Sequence, residues 1–359
     1  MSSIATVREM EKRPGSPIMP FGVDDQHIIS ASQFVPEALP VLFSEADVLY
    51  GMDNDFDGRR ELAQRHLGRR ACSLFYEPST RTRLSFETAA VTIGMAIVST
   101  ENAKEFSSAA KGETIEDTIR NLDQYGFDAV WIRHDQSGSL AKAAAVAETP
   151  VINAGDGSGE HPTQSLLDAY TIHREWGKLD GLNVVMGGDL RYGRTVRSLS
   201  RLLSKYPGNK FTYVSYPDFS IGEDVKDELR QDGTPFAETD EVVEALEGAD
   251  VVYWTRSQKE RHGRKTGLDK MIHQAQQIGK DALTRYVPGL VAPQTTNGLI
   301  LNERTIAKLP ESGRILHPLP RVDEISTDID NDPRSIWFKQ AGNGLYLRMA
   351  LLDRIAVKS

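Results

Sequence analysis

Short apolar runs alternate with segments of helical period along almost the whole chain from His27, and few folds tolerate that pattern. Ala71–Tyr76, Ala129–Arg133, Pro150–Asn153, Asn183–Met186, Lys210–Tyr216, Asp250–Arg256 and Ile315-Leu316 read as strands. Leu84–Met95, Pro162–Trp176, Arg194–Leu203, Gly222–Gln231, Glu241–Leu246 and Gly344–Val357 read as helices. Parallel strands need a long crossover, and a helix is the usual one. The predicted class is therefore α/β, each sheet mostly parallel and flanked by helices. A length of 359 residues, set against roughly 150 per domain, predicts two domains.

Several local signals sharpen the pattern. Pro162 stands at a predicted first helical position, where its missing N–H costs nothing. Leu166, Leu167, Tyr170 and Trp176 give that helix a core-facing stripe, and Gly177 is placed to end it. Val196, Leu199, Leu202 and Leu203 do the same for the next helix. Leu84–Met95 carries few strongly polar residues and is expected to be well buried. Residues 1–23 are rich in Pro, Gly and charge and read as a loose arm. The stretch from 262 to 313 is polar and without readable period. The domain boundary is expected near the helix at 162–176.

Composition excludes several classes. The formal charge is −9, from 42 basic and 51 acidic side chains, which disfavours a general nucleic-acid partner. One cysteine, Cys72, rules out an internal disulfide framework and any multi-cysteine metal site. Thr88 to Thr100 lacks charge but is too short and too polar to cross a membrane. The N-terminal stretch has mixed charge and no apolar signal segment, so the cytoplasm is the expected setting. If such an acidic chain acts on anions, its site must gather Arg and Lys beside backbone N–H groups.

Such clusters exist. Ser79-Thr80-Arg81-Thr82-Arg83 lies between a predicted strand and a predicted helix, so its N–H groups fall at a helix N-terminus, a ready phosphate site. Hydroxyls and guanidiniums add charge-assisted donors. The alternative is a capped helix start with solvated arginines. Gly155–His161 is a glycine-rich loop that delivers His161 and Gln164 to the next helix start. A helix N-terminus disfavours imidazolium, and a neutral imidazole can donate to an oxyanion; His161 could equally cap its own loop. Gly187-Gly188-Asp189 to Gly193-Arg194 superficially resembles a dinucleotide loop, but the glycine spacing is wrong. Arg194 at a helix start suits a carboxylate better.

Arg256 and Gln258 follow a predicted strand, where ligands of open α/β sheets bind; a solvated charge run is the alternative. His317-Pro318-Leu319-Pro320 makes a rigid turn able to aim carbonyls at a ligand N–H. Ser107–Lys111 is a small-residue loop holding one Lys, or simply a mobile loop before a helix.

Taken together, these strings resemble the catalytic chains of the aspartate/ornithine carbamoyltransferase superfamily, in its aspartate branch. Ser79–Arg83 and His161-Pro-Thr-Gln164 mark the superfamily. Lys111, Arg194, Arg256, Gln258 and His317-Pro-Leu-Pro mark the aspartate branch. The ornithine branch carries Cys where Pro318 stands here. The resemblance implies a carbamoyl-phosphate-binding domain at 24–161, completed by a C-terminal helix at about 340–359. A helix at 162–177 would join it to an aspartate-binding domain at 178–339.

It implies the following roles. Ser79, Thr80, Arg81 and Thr82 hold the phosphate, with Ser107 and Lys111 reaching in from a neighbouring subunit of a homotrimer. Thr82, Arg133 and His161 polarise the carbamoyl oxygen. Gln164 and the carbonyls of Pro318 and Leu319 bind the carbamoyl NH₂ group. Arg194, Arg256 and Gln258 clamp aspartate, with Lys111 and Leu319 assisting. Glu77, Arg191, Glu260 and Arg261 clasp the domains on closure. No metal and no cofactor are implied. A regulatory or dihydroorotase chain is left open. Ala110 stands where the family often has a second Lys. A carbamoyltransferase for ornithine, a catalytically silent relative and a nicotinamide dehydrogenase are the competing functions.

Overall fold

The computed structural model describes residues 26–157, 159–256 and 299–358. It divides into two compact units: residues up to 181 with 197–208 and everything from 338, and residues 182–196 with 209–337.

The first unit opens with two helices, α1 (Leu39–Asp53) and α2 (Phe56–Arg65). Its sheet takes β1 (Arg70–Phe75), β2 (Ala96–Glu101), β3 (Ala129–His134) and β4 (Val151–Asp156) in the order β2-β1-β3-β4, all parallel. Helices α3 (Thr80–Thr92), α5 (Ile115–Asp123) and α6 (Ser139–Ala144) make the crossovers, with a four-residue turn of helix, α4 (Ala103–Phe106), after β2. A parallel sheet covered on both faces reads as apolar runs, and β3 and β4 are buried accordingly. Trp131 of β3 is fully buried and stacks on Phe86 of α3 at 5.2 Å, a contact worth about 1 kcal/mol beyond its area. The edge strand β2 ends in Ser99-Thr100-Glu101 and is largely exposed. Helix α7 (Pro162–Trp176) follows β4 and is capped by Gly177 at φ 69°, as the proline and glycine foretell.

In the second unit β5 (Asn183–Gly188), β6 (Lys210–Val214), β7 (Phe236–Thr239), β8 (Val251–Thr255) and β9 (Arg314–Leu316) form a second all-parallel sheet, ordered β7-β6-β5-β8-β9. Helix α8 (Arg194–Leu203), which belongs to the first unit from Arg197, follows β5, α9 (Glu223–Gln231) follows β6, and the short α10 (Val242–Ala245) follows β7. The chain closes with α11 (Trp337–Lys358), which belongs to the first unit from Phe338.

Two expectations change. Helix α3 starts four residues earlier than its apolar pattern suggests, and it is not buried all round. Phe86, Ala89 and Ala90 face the core while Leu84 and Val91 are exposed. The polar stretch without readable period supplies core residues near its end. Leu299, Leu301, Ile306 and Leu309 join Trp254, Ile315 and Trp337 in the second core. Their spacing follows a bridge of Leu301 to Ile325 and a turn of 3₁₀ helix at Thr305–Lys308, neither of which has a long period to read. Residues 262–298 lie outside the described residues.

Candidate functional site

All four strands of the first sheet run one way, so their carboxyl ends share an edge. That edge is where open α/β sheets bind ligands. Each sequence-predicted residue of this unit sits there. Glu77, Ser79, Thr80, Arg81 and Thr82 follow β1, Ser107 and Lys111 follow β2, Arg133 is the penultimate residue of β3, and His161 and Gln164 follow β4.

Ser79 is the N-cap of α3 with extended backbone, yet its hydroxyl makes no capping bond. The hydroxyl of an N-cap serine ordinarily takes one of the helix's orphan N–H groups. Here the Ser79 side chain leaves those first-turn donors to other acceptors, an arrangement compatible with anion binding. The two arginines of the motif part company. Arg83 pairs with Glu87 at 3.4 Å and with Glu101 at 3.0 Å, whereas Arg81 lies on the exposed side. The expected phosphate role falls to Arg81 alone of the two; the i,i+4 carboxylate on the same helix holds Arg83.

Thr82 Oγ1 lies 3.4 Å from His161 Nε2, both buried, so two residues far apart in sequence meet between two helix starts. The His161 backbone N–H donates to Ser198 Oγ at 3.3 Å. Arg133 Nη2 sits 2.8 Å from Glu77 Oε2. Burial pushes the imidazole of His134, next in line, below its ordinary value against the pull of Asp135 and Asp156. Ser107 accepts from the Ala109 N–H at 3.2 Å and donates to the Ala103 carbonyl, folding the loop on itself. Lys111 ends that 3₁₀ turn, exposed, before Gly112 at φ 95°.

The second sheet repeats the arrangement. Arg194 follows β5, Arg256 follows β8 and His317–Pro320 follows β9, three adjacent strands. Arg194 is the buried first residue of α8. The glycines before it have a packing cause. A Cβ on Gly187 would meet the Trp254 ring, and Gly188 adopts φ 102° beside the Thr255 carbonyl. Close strand contact, not a phosphate cradle, explains that loop. Arg191 is exposed, donating to the Asp218 carbonyl at 3.4 Å and lying over the Tyr192 ring. Gln258, Glu260 and Arg261 lie outside the described residues.

In the proline turn, His317 and Glu324 are each 1% exposed and meet at 2.8 Å, while His317 Nδ1 accepts from the Leu319 N–H at 2.8 Å. Leu319 is held at φ 56° and its bond to Pro320 is cis. Burial pushes the Glu324 carboxyl up, but the His317 contact and the Val322 N–H outweigh it and hold it below its ordinary value.

Sequence reasoning missed this dyad and a second buried group: Asp168 of α7, Gln340 and Arg348 of α11. One signal was available for the second. Asp168 falls next to Leu166 and Leu167 on the apolar stripe of α7, and an unpaired acid is rarely fully buried. Among the described residues no group of three or more His, Cys, Asp and Glu side chains is placed to hold a metal ion, and no helix is long and apolar enough to cross a membrane.

Comparison with known proteins agrees with this geometry. Residues 26–174 match the carbamoyl-P binding domain of the aspartate/ornithine carbamoyltransferases, and residues 180–355 match their Asp/Orn binding domain. The chain is 46% identical, over 92% of its length and 78% of the relative's, to the chloroplastic aspartate carbamoyltransferase 1 of Pisum sativum. It is 40% identical to part of a multifunctional protein of Dictyostelium discoideum, over 91% of this chain and 13% of that one. Among solved structures it resembles aspartate transcarbamoylase from Trypanosoma cruzi in complex with carbamoyl phosphate and aspartate. That match has a TM-score of 0.78 and 34% identity, covering 94% of this chain and 98% of that one. Two all-parallel sheets with cations along their carboxyl edges, matched across both halves, show that the chain belongs to the aspartate/ornithine carbamoyltransferase family.

Proposed function

We propose that this chain transfers the carbamoyl group of carbamoyl phosphate to the amine of L-aspartate, giving N-carbamoyl-L-aspartate and phosphate, a step of pyrimidine biosynthesis. The observation that carries the reading is the Thr82–His161 contact beside the uncapped first turn of α3. It joins a phosphate-binding helix start to a hydroxyl and an imidazole able to donate to an oxyanion.

The chemistry follows from charge. Carbamoyl phosphate is a dianion, and so is aspartate once its amine is neutral. The first-turn N–H groups of α3, with Ser79, Thr80 and Arg81, hold the phosphate. The neutral amine attacks the carbamoyl carbon, and the carbonyl oxygen becomes an oxyanion facing Thr82, His161 and Arg133. Phosphate departs as the C–O bond breaks and accepts the amine proton. Glu77 holds Arg133 at 2.8 Å, so Arg133 must exchange that partner to reach the oxyanion. Gln164 and the Pro318 and Leu319 carbonyls accept from the carbamoyl NH₂. Arg194, Arg256 and Gln258 take the two carboxylates of aspartate. Holding both reactants in place supplies much of the rate. Glu77, Arg191, Glu260 and Arg261 act in conformational change rather than in bond making.

The same proposal includes a homotrimer in which Ser107 and Lys111 complete a neighbour's site. Its support is the exposed apolar set Leu84 (48%), Val91 (62%), Val98 (56%) and Phe106 (78%) on α3, β2 and the turn after β2, the edge that carries this loop. An unpaired parallel edge with exposed aliphatic side chains calls for a cover. A reducing compartment such as the cytoplasm fits the single buried thiol of Cys72. The plant relative, in contrast, is named chloroplastic. The test is a product assay. Purified chain given carbamoyl phosphate should release phosphate with aspartate and not with ornithine; equal turnover with ornithine, or none with either, overturns the assignment.

A further inference from the structure

We infer that Asp168 is a positioning residue for the carbamoyl group: it sets which end of the Gln164 amide faces the substrate, and so lets the site tell carbamoyl phosphate from an acyl phosphate. The inference rests on the reading of Gln164 as the acceptor for the carbamoyl NH₂.

Gln164 stands in the first turn of α7, three residues after His161. Its Nε2 donates to Asp168 Oδ1 at 2.9 Å, one turn further on, and Gln340 Nε2 of α11 donates to the same oxygen at 2.6 Å. An ionised carboxylate accepts and cannot donate. The face of Gln164 turned toward Asp168 must therefore be its NH₂, and Oε1 is the end left for a ligand. A reversed amide would set two oxygens against each other in a buried place.

The carboxylate itself is fixed by its surroundings. Asp168 is fully buried, and its charge acts on Arg348 of α11, whose guanidinium burial pushes down to about 10. Arg348 Nη1 donates to Ser85 Oγ at 2.8 Å and its guanidinium lies 4.9 Å over the Phe86 ring, both on α3. The group thus links the two helices whose N-termini form the candidate site. Pairs of Gln and Asp at i,i+4 occur on exposed helices merely as local support. Here the pair is buried, shared with α11, and located where the amide's polarity has a consequence.

That consequence is selectivity. Carbamoyl phosphate offers N–H donors where acetyl phosphate offers a methyl group of similar size. A site built to accept from an N–H penalises the analogue that lacks it, because the acceptor is left unpaired. The experiment compares the KM for carbamoyl phosphate with the inhibition constant of acetyl phosphate in the intact enzyme. Asp168→Asn, which lets the Gln164 amide turn either way, should raise the KM about tenfold while acetyl phosphate binding moves less than about twofold. A purely structural role would weaken both ligands alike and overturns the inference. Should the buried Arg348 charge prevent that variant from folding, Asp168→Asn with Arg348→Met removes both charges together, and the same ratio is read. Gln164→Ala separates the two claims. If it leaves the ratio untouched, the reading of Gln164 is wrong. If it abolishes the preference while the Asp168 variants retain it, Gln164 stands and the role given to Asp168 falls.

Discussion

Arg81 and Arg83 are two positions apart and have different surroundings. Arg83 turns to Glu87 and Glu101, while Arg81 remains on the exposed side of a helix start that keeps its N–H donors. The string Ser79–Arg83 points to an anion site in the sequence, because hydroxyls and guanidiniums crowd one strand-to-helix junction. It could not say which arginine a carboxylate would hold, since that depends on Glu101 of β2 reaching Arg83. The same limit hid Asp168: its partners Gln340 and Arg348 come from the far end of the chain. Arg81→Ala should lower turnover by about 10²–10³, the usual loss for one preorganised donor to a developing charge. Arg83→Ala should cost stability and leave turnover within about threefold, as expected of an ion pair distant from the chemistry. Steady-state kinetics and thermal melts on both variants check the contrast. Equal kinetic losses would reject the division of labour.

At the scale of elements, α7 and α8 were readable from their ends and stripes, whereas α2 and α5 went unread although Asp55 and Thr114 cap them. Pro162 and Gly177 fix both ends of α7, and α8 begins and ends where its apolar period does. Helix α1 was missed because Leu39–Asp53 is apolar on several sides and has no side-chain cap, so it offers neither signal. The turn after β9 was legible as rigid from its prolines. The brace beneath it was not, because Glu324 reads as one acid among many in the sequence. His317 Nδ1 accepts from the Leu319 N–H, so the proton sits on Nε2 and is donated to Glu324. That bond helps hold Leu319 in a conformation side chains rarely adopt. Because the folded carboxyl of Glu324 titrates below its unfolded value, its stabilisation is complete above the unfolded range near pH 4.5. It is lost as pH falls through the lower, folded value. Glu324→Gln should therefore lower stability at pH 7 by about 1–3 kcal/mol, the scale of a buried charge-assisted hydrogen bond. The difference from the parent should shrink as the pH falls below about 4. Denaturant melts across that range test this; a gap that widens in acid contradicts it.

For the molecule as a whole, the net charge of −9 and the run of cations along two sheet edges pull in opposite directions, and the topology resolves them. Parallel strands gather at one edge every loop that follows a carboxyl end, so acids can dominate elsewhere while Arg and Lys collect along those edges. Lys111 is the exception in kind: it follows the edge strand β2, and Val98 of that strand and Leu84 and Val91 of α3 are exposed. A threefold ring with that edge at its contacts would cover these side chains and bring Lys111 to a neighbour. Val98→Glu should then break the ring without unfolding the chain, read as a fall from trimer to monomer mass by light scattering with unchanged circular dichroism. The sharing itself has a sharper test. Arg81→Ala and Lys111→Ala chains, each nearly inactive alone, are unfolded, mixed and refolded together. In any ring holding both kinds, one junction sets an intact Arg81 beside an intact Lys111, so each mixed trimer should recover about one third of a normal trimer's activity. If Lys111 instead serves its own chain's site, no junction restores a complete set, and mixed trimers isolated by a charge tag stay as inactive as their parents.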